Sequence, residues 1–169
     1  MIRLLPLAIA AIALAACDGQ GGNSTTISFS SNGSDGNVAG AIDKDGNIKI
    51  DSDGFKADVK IPAIKLDAKD FDMNGVHLYP GSTITTMNIA AQDKKGDKDD
   101  SGKVSVAFTS PAAAATVRDW LKDRLDKAGF TLSVAGNGLT GKTDDGQPFT
   151  LKLDDDGAGK SKGTIDMGS

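Results

Sequence analysis

The chain has 169 residues, a formal charge of −4, one histidine and one cysteine. A mildly acidic chain with scattered lysines lacks the basic footprint of a nucleic-acid binder, and a single His and a single Cys cannot build a zinc, haem or iron–sulfur centre. All 23 acidic residues are Asp, and 21 glycines accompany them. Asp bonds to nearby backbone and favours turns and caps, so the composition points to many short strands joined by tight turns.

Residues 1–16 have the three parts of an export signal: basic Arg3, an apolar stretch from Leu4 to Leu14, and small residues Ala15 and Ala16. The stretch is shorter than the roughly 20 apolar residues that span a bilayer. A plain secretory cut after Ala13-Leu14-Ala15 is the alternative. The run Leu14-Ala15-Ala16-Cys17 fits better, because it resembles the lipobox of bacterial lipoproteins. That resemblance implies a diacylglyceryl group on the Cys17 sulfur, cleavage before Cys17 and acylation of the new N-terminus. Lipidation also accounts for an otherwise unpaired thiol in an oxidising compartment.

Three acyl chains hold a protein on a membrane where one holds it only marginally. The expected location is therefore the bacterial cell envelope, anchored in a membrane and facing the periplasm. Asp18 after the cysteine resembles the inner-membrane retention signal of enteric bacteria, a rule that varies between bacterial groups, and inner and outer membrane both stay open. The mature chain would keep 153 residues with 18 basic and 23 acidic side chains. Residues 17–35, rich in Gly, Ser, Asn and Thr, read as the lipidated cysteine and a flexible tether.

Residues 36–75 read as a short-strand β segment. Val38 with Ile42, Ile48 with Ile50, and Val59 with Ile61 alternate between turns at Asp45-Gly46 and Asp53-Gly54, the spacing of an antiparallel meander. Residues 76–169 read as an α+β domain, ββαββββ, with a mostly antiparallel sheet under one amphipathic helix. Ile84, Met87 and Ile89 suggest a strand whose phase slips near Thr85–Thr86. Val104, Val106 and Phe108 alternate cleanly.

The helix follows Ser110 and Pro111, read as cap and first helical residue. Its stripe is Val117, Trp120, Leu121 and Leu125, read as core. Gly129 and Phe130 suit a Schellman ending. Strands at Phe130–Val134, Leu139–Thr143, Phe149–Leu153 and Ile165–Met167 follow, with turns at Asn137-Gly138 and Asp145-Gly146 and a loop over Asp154–Lys162. With its Tyr79-Pro80-Gly81 turn, Phe108-Thr109-Ser110-Pro111 helix start and Ala128-Gly129-Phe130 exit, the stretch from Leu78 to Met167 is similar to small uncharacterised lipoproteins of Gram-negative bacteria. The resemblance carries no catalytic residues.

Chemistry is sparse. His77 has no Gly-x-Ser-x-Gly elbow to serve. Gly136-Asn137-Gly138 and Gly157-Ala158-Gly159-Lys160 do not open a helix after a strand, as a phosphate loop would. Asp97-x-Asp99-x-Ser101-Gly102 matches the first half of a calcium loop, but Phe108 stands where a bidentate Glu belongs, leaving Asp97, Asp99 and Ser101 as weak calcium candidates. Asp43, Asp45, Asn47, Asp51 and Asp53 form another oxygen-rich row, and Asp154, Asp155 and Asp156 a third. The reading is a non-enzymatic, lipid-anchored envelope module without a resident cofactor. It would meet the membrane through its lipid and an envelope protein through its sheet. The alternative is a calcium-responsive structural or adhesion-like surface protein.

Overall fold

The computed structural model describes residues 25–33, 36–52, 55–60, 65–92 and 101–168. In chain order the strands are β1 (Thr26–Gly33), β2 (Gly36–Ile42), β3 (Asn47–Ser52), β4 (Phe55–Lys60), β5 (Leu66–Asp67), β6 (Asp72–Met73), β7 (Val76–His77), β8 (Thr83–Gln92) and β9 (Ser101–Ser110). Helix α1 (Ala114–Lys127) follows, then β10 (Thr131–Ala135), β11 (Gly138–Lys142), β12 (Pro148–Asp155) and β13 (Ser161–Gly168). A single 3-10 turn, Ala68–Asp70, links β5 to β6.

The fold is α+β, with one helix on a large mixed sheet ordered β10-β11-β12-β13-β9-β8-β1-β2-β3-β4; β5 pairs with the start of β8. Along that path every pair is antiparallel except β1 beside β8. The expected order ββαββββ is not matched. Residues 26–33, expected in the tether, form β1 and join β2–β4 to the rest of the sheet, and Val76 starts the second strand of a small hairpin, β6–β7, that precedes β8. Ile27 and Phe29 alternate with Ser28 and Ser30, so β1 has a strand pattern that its Ser/Asn content hides.

Helix α1 packs over β10–β13 and against β7. Val117, Leu121 and Leu125 are buried with Val106, Phe108, Leu132, Leu139, Phe149, Leu151 and Ile165. At this depth about 2 kcal/mol of transfer free energy accompanies each large side chain. Gly163 is a packing glycine: a Cβ there would lie 2.6 Å from the Phe108 ring and 2.7 Å from Leu153. The phase slip near Thr85 is a β-bulge between Ile84 and Thr86.

The helix ends as expected. The Phe130 N–H donates to Leu125 O and the Gly129 N–H to Asp126 O, with Gly129 at φ 95°. Its start differs. Ala113 is the N-cap residue without a side-chain bond, and the Ala114 N–H donates to Asp155 Oδ1 at 2.9 Å. Ser110 ends β9 instead, and Pro111 lies three residues before the helix. A carboxylate from 41 residues away does the capping, consistent with the favourable charge at a helix N-terminus.

Two turns also moved. The β10–β11 hairpin turns on Gly136-Asn137, one residue earlier than expected, because Ala135 pairs with Gly138 and Gly136 supplies the left-handed φ. The loop expected over Asp154–Lys162 contracts to residues 156–160, since Asp154 and Asp155 pair with Lys162 and Ser161.

Candidate functional site

Hairpin β6–β7 builds one wall of a cleft. Asn74 and Gly75 both take left-handed φ, 56° and 83°, as a two-residue hairpin turn of this twist requires. Asn74 Nδ2 donates to Ala128 O (3.2 Å) and Asp144 Oδ2 (2.9 Å), tying the hairpin tip to the end of α1. Asn-Gly between Met73 and Val76 is a sequence signal for this hairpin that the strand reading passed over.

Helix α1 builds the other wall. With Val117, Leu121 and Leu125 turned to the core, Trp120 and Arg124 fall on the flank one turn apart. Trp120 is half-buried: it packs against the core, as its stripe suggested, and its remaining surface lines the cleft. Tyr79 packs on it edge-to-face with ring centroids 5.6 Å apart, and the Arg124 guanidinium sits 4.0 Å from its ring centroid. Such stacking holds a cation in place for roughly 1 kcal/mol at a part-exposed site.

The cavity between these walls encloses about 990 Å³. Four cationic side chains line it, Lys65, Lys69, Arg124 and Lys127, against one carboxylate, Asp67. That balance reverses the sign of the chain as a whole, which is net −4. Lys127 also meets Asp123 at 2.8 Å, and this hydrogen bond holds the Asp123 carboxyl below the usual carboxylate range. The wall carries Ser82, 1% exposed, whose Oγ has no hydrogen-bond partner among the described residues. Its backbone is tied, with N–H to Tyr79 O and O to the Ala68 N–H. An unpaired buried hydroxyl costs about 1 kcal/mol or more.

His77 is exposed on β7 at the rim, with Nδ1 3.3 Å from Phe71 O and 3.7 Å from Asp72 Oδ2. A second concavity of about 670 Å³ lies on the polar face of β1–β4 and β8. Its charges pair across strands, as Lys56 does with Asp51 at 2.9 Å, and small residues such as Ser28 and Ala41 floor it.

Cys17, Asp97 and Asp99 lie outside the described residues, as does the side chain of Ser101 at the start of β9. Of the row at 43–53, Asp53 lies outside the described residues, Asp51 pairs with Lys56 across β3 and β4, and Asp43 and Asn47 serve turn geometry. Asp43 Oδ1 accepts from the Asp45 and Asn47 N–H groups and Oδ2 from Asn47 Nδ2, which pulls its carboxyl pKa below the usual 3.8. The row at 154–156 is divided. Asp155 caps α1, and Asp156 pairs with Lys162 at 2.9 Å. Among the described residues no three His, Cys, Asp or Glu side chains come close enough to hold one metal ion. Nor is any described helix long and apolar enough to cross a membrane.

The cleft could not be read from sequence because the β6–β7 hairpin and Trp120 of α1 are distant in the chain and meet only through the fold. No family model, curated protein or solved structure matches the chain, so its own geometry carries the functional reading.

Proposed function

We propose that the chain is a lipid-anchored protein of the bacterial cell envelope, held at Cys17 and facing the periplasm. There it acts as a non-catalytic binding module. One observation carries the binding reading: a cleft lined by Trp120 and Arg124 beside Lys65, Lys69 and Lys127 in an otherwise acidic protein, with Tyr79 packed behind the Trp120 ring. Aromatic and Arg side chains in a recessed site anchor partners, and their positive field selects an acidic one. The preferred ligand is an acidic segment of an envelope protein. Its carboxylates would pair with the cations.

The experiment is photo-crosslinking in living cells from a reactive residue placed at Lys69, with identification of whatever is captured. The expected result is a discrete partner with an acidic segment, captured by the anchored chain and lost in Cys17→Ala and in Arg124→Ala. Capture that is unchanged in Arg124→Ala, or restricted to abundant neighbours, would overturn the cleft reading. Incorporation of a palmitate analogue at Cys17 tests the anchor separately.

A further inference from the structure

On β8, β1, β2, β3 and β4, one face of the sheet continues the core outward, and among the described residues no helix covers it. Strand register places Ile89, Phe29, Gly40 and Ile50 side by side across four strands on that face, with Val38, Phe55 and Val59 around them. The Phe29 ring lies over Gly40, where a Cβ would approach it to 2.2 Å. Phe55 is 60% exposed and Val59 50%. Among the described residues of these five strands, no ionisable side chain falls on this face. Lys49, Asp51, Lys56, Asp58 and Lys60 of β3 and β4 all take the other one.

Single exposed apolar residues carry no message, whereas the largest contiguous apolar patch of a monomer, commonly about 300–600 Å², is often functional. Four strand spacings of about 4.8 Å and strands about 20 Å long give a patch of roughly 400 Å². Two copies face to face would bury roughly 800 Å² in total, below the approximately 1,200 Å² of a stable pairing. A bilayer surface has no such threshold when an anchor already supplies proximity.

The anchor point is close. Residues 18–25 separate Cys17 from the start of β1, so the covalent reach is at most about 28 Å. Helix α1 does not shadow the patch. Five strand steps separate β13 from β3, and a twist of roughly 20° per step turns the face away by about 100°.

We propose that this face of β1–β4 and β8 lies against the phospholipid surface of the membrane that holds the lipid anchor. Phe29, Phe55 and Val59 enter the boundary between headgroups and acyl chains, and the lysines of the opposite face stay in water. The proposal rests on the lipoprotein reading for the nearness of the bilayer.

The test uses neighbouring residues on opposite faces of β4. Full chains carrying Trp120→Phe with either Phe55→Trp or Lys56→Trp are extracted from bacterial membranes. They are then reconstituted into phosphatidylethanolamine/phosphatidylglycerol vesicles with brominated acyl chains. The Phe55→Trp chain should lose roughly half its emission and the Lys56→Trp chain almost none, because bromine quenches only side chains at acyl depth. Equal quenching of both, or of neither, would overturn the proposal. So would an unquenched Phe55→Trp chain that sediments as a dimer, which would give the face to a second copy. Quenching of the Phe55→Trp chain alone in protein without acyl groups on Cys17 would keep the face and remove the anchor.

Discussion

The two halves of this sheet share one alternation and differ in what covers it. In β9–β13 the inward residues meet α1, and Val106, Leu139 and Ile165 are fully buried. In β1–β4 no described helix packs on the corresponding residues, and Phe55, Val59 and Val38 remain exposed. Period-2 patterning therefore marks which face of a strand is apolar and does not say whether that face is core or docking surface. The covered half takes its stability from packing, whereas the bare half relies on strand pairing and its junction with β8.

The largest expected difference follows directly. Leu121→Ala removes a fully buried side chain under α1 and should cost about 3–4 kcal/mol in urea unfolding, while Val59→Ala in the bare half should cost under about 1. Similar losses at the two sites would break the distinction between the halves.

The junction comes next. Buried Thr25 donates through Oγ1 to Ile84 O at 2.5 Å and accepts from the Leu66 N–H at 3.1 Å, joining the start of β1 to β5 and β8. Thr25→Val should cost about 2 kcal/mol by leaving both groups unpaired. Its effect on amide protection should be greatest in β1–β4.

Asp155→Ala removes the carboxylate over the first turn of α1 and should cost about 1 kcal/mol, measurable as a lower urea midpoint with unchanged slope. Because Asp155 caps the covering helix, the loss belongs to the covered half.

The smallest effect is the turn at Asp43 in the bare half. Its folded carboxyl pKa lies below the usual 3.8, chiefly through the Asn47 side chain, so the contribution is present above the unfolded value and disappears as pH falls through the folded one. Carboxyl chemical shifts should give Asp43 a midpoint below 3.8 and show the Asn47 amide resonance moving with it.

Local signals made much of the covered half legible. The clean alternation in β9, the stripe through Val117, Leu121 and Leu125, and Gly129 before Phe130 each act within a few residues, and the structure contains all three. What failed was non-local. The α1 cap comes from Asp155, β1 joins the sheet through a parallel pairing about 60 residues away, and the cleft needs the β6–β7 hairpin and α1 together. Helical periodicity places Trp120 on the core stripe without showing that part of its surface lines a cleft, because it fixes a face and not the edge of that face. The Asn74-Gly75 hairpin was legible, yet its strands are only two residues each and carry almost no alternation.

Hydrogen exchange of the vesicle-free protein tests the two-halves account most directly. Strands β2 and β3 of the bare half and β9 and β13 of the covered half are all paired on both sides, so they differ in cover and not in backbone bonding. The account predicts that β9 and β13 amides exchange only on global unfolding, while those of β2 and β3 exchange through lower-energy local opening. Exchange of all four strands in step would contradict it, because the bare half would then be as firmly held as the half beneath the helix.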